Sequence, residues 1–217
     1  MMGKSSRATY LLLAVLAGAV ILLFGLSVWL WIAARDPGND SAEAGFARDM
    51  ITHHAQAVEM AEIIRAKTEN ERINTLATDI TLTQQAQIGQ MQGWLNLWEV
   101  PVVGTEPPMT WMGMPTEGRM PGMASAEEIN RLRDLPSDEA DMLFLQLMIP
   151  HHEAAIPMSN AVLERTGNPV VERLANTIVS SQAAEITIME EMLRDLGSTP
   201  TEELDDTDME GMDMSGS

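Results

Sequence analysis

The sequence predicts an all-α protein, a four-helix bundle made of two tandem helical hairpins behind an N-terminal transmembrane helix. Three observations carry that expectation. A nearly uninterrupted apolar run opens the chain, a long segment recurs at a fixed offset, and each copy of it carries apolar residues in steps of three and four.

Residues Tyr10 to Ala34 hold no charge before Arg35, enough apolar chain to cross a bilayer as a helix. Lys4 and Arg7 precede the run, so the positive-inside rule leaves residues 1–9 in the cytoplasm and sends everything after Arg35 outside. Trp29 and Trp31 suit the outer interface. A cleaved signal peptide ending near Ala33 and Ala34 is the competing reading; the apolar run is long for one, which favours a retained anchor at 10–34. Either way the remaining chain is exported: membrane-bound and extracytoplasmic if anchored, secreted or periplasmic if cleaved.

The repeat organises that exported part. FARDMITHHAQAVEMA from Phe46 matches FLQLMIPHHEAAIPMS from Phe144, an offset of 98 residues. The same offset, without a gap, pairs Leu76 with Leu174, Ala77 with Ala175, Ile80 with Ile178, Gln84 with Gln182, Ile88 with Ile186, Met91 with Met189 and Leu95 with Leu193. Each copy reads as two helices. Phe46, Met50, His53, Ala57, Met60 and Ile64 form one stripe, and Ile73, Ala77, Ile80, Gln84, Ile88, Met91 and Leu95 the next. Thr68 with Glu71 is the expected capping box between them, and Pro101 ends any continuation. In the second copy Asn168 is the expected N-cap, Pro169 the first-turn proline and Gly197 the stop. A hairpin with one apolar stripe per helix cannot bury those stripes alone, so two should pack as a bundle over 43–198, with repeats at 44–98 and 137–197.

Between the repeats, residues 99–136 form a crossover rich in proline, glycine and methionine, with a short helix expected from the Ser125–Glu128 box through Leu135. Residues 199–217 are acidic, contain methionine and are expected to be disordered.

Composition limits the chemistry. With 32 acidic against 13 basic residues the net charge is −19, which excludes the basic footprint that nucleic acid requires. The absence of cysteine removes disulfides and thiolate ligands. Methionine stands at 18 residues, and a thioether binds soft metal without deprotonation, even where thiols are oxidised.

The four histidines of the chain are His53, His54, His151 and His152, at equivalent places in the two copies. The first of each pair falls on the buried stripe and the second about a hundred degrees around the helix. Met50 and Met60 share the stripe of His53, and Met148 and Met158 that of His151. Imidazole with thioether is a borderline-to-soft ligand set that suits copper, as Cu(I) or Cu(II), better than calcium or magnesium, with another divalent metal as the alternative. Reflecting each hairpin about its turn brings the histidines level with Gln84 and Gln182, the conspicuous polar interruptions of their stripes. These two amides are expected to support the ligands by hydrogen bonds or, equally well, to satisfy backbone or water. Pro150 removes a helix hydrogen bond beside the second pair, Pro157 adds another interruption, and Thr52 can bond back to an earlier carbonyl. Met109, Met112, Met114, Met120 and Met123 in the crossover and Met209, Met212 and Met214 in the tail form a secondary soft-metal set. Docking of the crossover through Trp111 is the alternative account of the first five.

At Met50-Ile51-Thr52-His53-His54 and Met148-Ile149-Pro150-His151-His152 the chain resembles a widespread bacterial family of exported ferritin-like proteins, long catalogued as a domain of unknown function. The resemblance runs from about Ala44 to Leu196. Some members are similar to periplasmic copper-binding proteins of copper resistance, so it implies copper homeostasis or tolerance, carried here by the two histidine pairs and their adjacent methionines. A metal-delivery protein would then be a partner.

Two other classes are weighed beside that binding module. A copper-dependent or ferritin-like oxidoreductase could use the same metal, although a di-iron carboxylate site needs Glu-x-x-His spacing and no histidine here has a glutamate three residues before it. A structural or partner-binding bundle would use the histidines for packing. No serine triad or phosphate-binding glycine loop is present.

Overall fold

The computed structural model describes residues 4–33 and 36–197. The tail with Met209, Met212 and Met214, the Ala34–Arg35 step, and the side chains of Lys4, Arg7, Trp29 and Trp31 lie outside the described residues. The elements are α1 (Lys4–Ala33), α2 (Ala42–Arg65), α3 (Glu71–Leu97), a 3₁₀ turn (Thr110–Met112), α4 (Ala126–Asp134), α5 (Ser137–Leu163) and α6 (Pro169–Gly197). The protein is all-α as expected, with no strand among the described residues.

The chain divides into two units at Gly38. In the first, α1 presents Thr9–Val28, a stretch long and apolar enough to cross a membrane and none of it buried. The same composition fits a signal sequence.

In the second unit α2 packs on α3, α5 packs on α6, and the hairpins meet through α2 and α5. The apolar residues form two clusters. One gathers the C-terminal half of α2, the N-terminal half of α3, α4, the N-terminal half of α5 and the C-terminal half of α6. The other takes the opposite halves of the same four long helices, so α2 and α5 run antiparallel. Phe46 anchors one cluster and Phe144 the other, both without exposed surface; burial of a ring of this size stabilises a fold by about 1.5–3 kcal/mol.

Local chemistry sets the helix ends. The Ser41 hydroxyl accepts the Ala44 N–H at 3.1 Å to open α2. At α3 the structure corrects the expected Thr68–Glu71 box: Asn70 is the cap, its side-chain oxygen accepting from Arg72 N at 3.0 Å and Ile73 N at 3.4 Å. Thr68 is used one step earlier, its hydroxyl accepting the Asn70 N–H at 3.1 Å. Asn70 wins because it stands directly before the helix, where an Asx side chain reaches the second and third amides. Asn168 acts likewise before Pro169, accepting from Val170 N at 3.0 Å. The Ser125–Glu128 box is formed in both directions, and α5 remains helical through Pro150 and Pro157.

The crossover is docked on the bundle. Gln56 pairs with both backbone groups of Ala124, at 3.0 and 2.7 Å, and Lys67 Nζ donates to the carbonyls of Leu132, Arg133 and Leu135. Asp49 Oδ2 accepts from Met109 N and Trp111 Nε1, each at 2.7 Å, which holds Met109 in a left-handed conformation at φ 66°. Gly45 leaves the space that the Trp111 ring occupies. At Gly122, φ is +75° and a Cβ would overlap the Pro150 carbonyl oxygen and Ala154 Cβ on α5.

That close approach gives a paired stability prediction. Gly122→Ala forces a disfavoured φ and a clash with helix backbone, and should destabilise by about 2 kcal/mol in urea unfolding. Gly89→Ala, on the exposed face of α3 with nothing near its Cβ position, should stabilise by about 0.5–1 kcal/mol.

Candidate metal centre

Between the two apolar clusters lies a polar layer. On α2 the histidines fall between Met50 of one cluster and Ala57 of the other, and on α5 between Met148 and Ala155. Gln84 and Gln87 lie between Ile80 and Met91 on α3, and Gln182 follows Ile178 on α6. All four histidines are wholly buried. The rings of His53 and His151 meet where α2 faces α5, their centroids 3.8 Å apart and their planes inclined by 35°. His151 and His152 have centroids 6.2 Å apart.

The outer histidine of each pair is held from the return helix. His54 Nε2 lies 2.6 Å from Gln87 Oε1, and His152 Nε2 lies 2.7 Å from Glu185 Oε2. An oxygen accepts, so Nε2 carries a proton in both rings, and in the neutral form of either ring the lone pair is on Nδ1. Neither Nδ1 has a hydrogen-bond partner, and neither nitrogen of His53 or His151 has one. Six buried imidazole nitrogens are thus unanswered among the described residues. Each such group costs about 1–3 kcal/mol unless something engages it.

Burial also favours the neutral form of His53, His54 and His151. It lowers His53 to about 4 and His54 to about 3, and holds His151 well below the usual histidine range. The neighbouring histidines push the same way. The Pro121 carbonyl near His53 and the His53 carbonyl near His151 oppose the shift without outweighing burial, and neither reaches hydrogen-bond geometry. A neutral imidazole is the form that binds metal.

The other expected residues are distributed as follows. Met50 and Met158 share one cluster and Met60 and Met148 the other, all four buried, so each side of the histidine layer carries a thioether pair drawn from both hairpins. Met109 and Met120 are buried beside Met50 and Met158, Met112 and Met123 pack against that cluster half-buried, and Met114 is exposed. Gln84 and Gln182 are buried near the layer, but their amides do not bond the histidines. Both side-chain atoms of Gln84 and the oxygen of Gln182 lack partners. Thr52 donates to the Arg48 carbonyl at 3.1 Å, as its position suggested. No three His, Asp or Glu side chains form a metal-holding group among the described residues, so a complete coordination shell would need thioethers or movement.

Gln87 and Glu185 escaped the sequence reading. The signal was present: they pair at the 98-residue offset and stand three residues, nearly one turn, beyond Gln84 and Gln182.

The chain is similar in sequence and fold to known proteins. The family model described as Domain of unknown function (DUF305) matches residues 43–193. The crystal structure of a putative secreted DUF305 protein from Streptomyces coelicolor superposes with a TM-score of 0.71 at 47% identity, covering 74% of this chain and 96% of that one. CopM in its Cu(II)-bound form aligns with a TM-score of 0.56 at 27% identity over 70% of this chain and 96% of that one, and CopM is also solved with Cu(I) and with Ag. An uncharacterized protein of Acanthamoeba polyphaga mimivirus is 43% identical over 53 residues, 24% of this chain; the chain spans about a third (35%) of that curated relative.

The buried neutral imidazoles make stability depend on pH. Unfolded histidine takes up a proton near 6.5, whereas folded His53 does so near 4 and His54 near 3. Their contribution is therefore complete above about pH 6.5 and lost as pH falls toward 4. In urea unfolding of metal-free protein, the fall in stability from pH 7 to pH 5 should exceed that of a His53→Gln/His54→Gln variant by roughly 2 kcal/mol per histidine. Equal slopes would show that these rings are not buried neutral.

Proposed function

The chain belongs to the DUF305 family, and from that premise we propose that it is an extracytoplasmic copper-binding module of copper homeostasis or tolerance. Copper is its cargo, taken up through His53, His54, His151 and His152. The observation that carries this reading is the set of six buried imidazole nitrogens without partners. A fold that only needed packing would fill this layer with apolar side chains at no such cost.

The supporting ligand chemistry is thioether. Met50, Met60, Met148 and Met158 flank the layer and would complete a soft coordination shell, favouring Cu(I). Met109 and Met120 belong to the cluster of Met50 and Met158, Met112 and Met123 pack against it and Met114 is exposed, so the crossover would add thioethers on one side of the histidine layer. Gln84 and Gln182 carry unanswered amide atoms near the same layer and are available to hydrogen-bond a ligand once metal is bound. CopM, at 27% identity, has been solved with Cu(II), which supports copper over other divalent ions. The apolar helix α1 fits a single-span anchor that would hold the bundle outside the membrane, within reach of a metal-delivery partner.

The test is metal content and titration with Cu(I), Cu(II) and Zn(II) of the full-length chain in detergent, beside a variant with all four histidines changed to glutamine. Copper binding tighter than micromolar in the parent and lost from the folded variant is the expected result. Binding that survives in the variant overturns the histidine site, and a folded parent that binds no copper overturns the function. Changing Met50, Met60, Met148 and Met158 to leucine, close to volume-conserving, should weaken Cu(I) more than Cu(II), since only the soft ion gains from thioether.

A further inference from the structure

We infer that the two histidine pairs are chemically unequal half-sites, with Glu185 the positioning residue that, through His152, biases its half toward divalent copper. The inference rests on the copper reading above and adds to it the question of oxidation state.

The two halves share one arrangement. His54 and Gln87 are 33 residues apart in sequence, as are His152 and Glu185, and in both the ring presents Nε2 to a side-chain oxygen of the return helix. Both contacts are short, at 2.6 and 2.7 Å, and both leave a buried Nδ1 with no partner. The ligating atom is therefore the same on the two sides. The difference is one atom: Gln87 offers a neutral amide and Glu185 a carboxylate.

That difference acts on the metal in two ways. A carboxylate accepting the Nε2 proton makes the opposite nitrogen a stronger donor, and support of this kind changes metal affinity by about 10–100-fold. Its charge also reaches the metal across one imidazole ring. Coulomb attraction scales with the charge of the ion, so a dication gains twice what a monocation gains. His152 has no exposed surface and the Glu185 side chain is 18% exposed, so salt screens the pair less than it would at the surface. Gln87 orients His54 with no such bias. The thioethers of the two clusters come equally from both hairpins, so the bias between the halves rests on the carboxylate.

The test measures Cu(II) and Cu(I) affinities of the full-length chain in detergent by competition with chelators at one neutral pH, for the parent, Glu185→Gln and Gln87→Glu. Glu185→Gln should weaken Cu(II) by about 10–100-fold and Cu(I) by distinctly less, raising the bound-copper reduction potential by about 59 mV for each tenfold change in the affinity ratio. Nitrogen coupling in the electron paramagnetic resonance spectrum of Cu(II) should persist, because the ligand stays and only its support changes. Gln87→Glu should shift the ratio the opposite way; should it fail to fold, the isosteric Glu185→Gln carries the test alone. An unchanged ratio, including an equal loss of both ions, overturns the inference and leaves the copper function standing, provided the four-histidine variant loses binding. A parent without copper binding overturns both.

Discussion

An imidazole sealed from water carries two polar ring nitrogens that its surroundings have to answer. Four such rings at one level of the bundle dictate much of what surrounds them. The core cannot be continuous there and splits into two apolar clusters. Helices α2 and α5 must approach closely enough for His53 to lie against His151. The return helices must supply an oxygen at that level, from Gln87 and Glu185. The crossover follows too, because Gly122 beside Pro150 and the Pro121 carbonyl near His53 close the layer from outside.

Features governed by periodicity were legible in the sequence. The stripes of α2, α3, α5 and α6 follow from steps of three and four, and the buried histidines and core methionines lie on or beside them. Features governed by competition between neighbours were harder. Thr68 and Asn70 both can cap, and the choice depends on which residue the turn places directly before the helix. The partner of His54 depended on rotation about the α3 axis: a reflection through the turn finds the right level, while the polar residue one turn on, at the edge of the stripe, makes the bond. The crossover posed a different difficulty. Its attachments are single polar contacts, Gln56 to Ala124 and Asp49 to Trp111, which carry no period that a pattern could reveal.

The methionines show why composition alone was ambiguous. A thioether fills irregular space as readily as it binds soft metal. Met189 and Met192 lie in the cluster away from the 3₁₀ turn, where filling is a sufficient account. Met109 and Met120 are also core residues, yet they belong to a loop whose docking already has Trp111 and Asp49 to secure it. Their burial against Met50 and Met158 places added thioethers on one side of the histidine layer. Packing and metal handling are compatible here, because a flexible side chain that fills a gap can also turn its sulfur toward an ion without repacking the helices.

The same economy bears on the difference between the hairpins. Glutamine and glutamate are nearly equal in shape, so a bundle built from two repeated hairpins can hold either at this position without disturbing its neighbours. Most ways of making two buried sites unequal would alter volume, and a close-packed core resists that. Exchanging an amide for a carboxylate alters charge and leaves volume alone, and its effect is delivered through a ring that is already fixed. The electrostatic difference between Gln87 and Glu185 is thus one that the fold can carry without a packing penalty, at the level where His54 and His152 hold their free nitrogens.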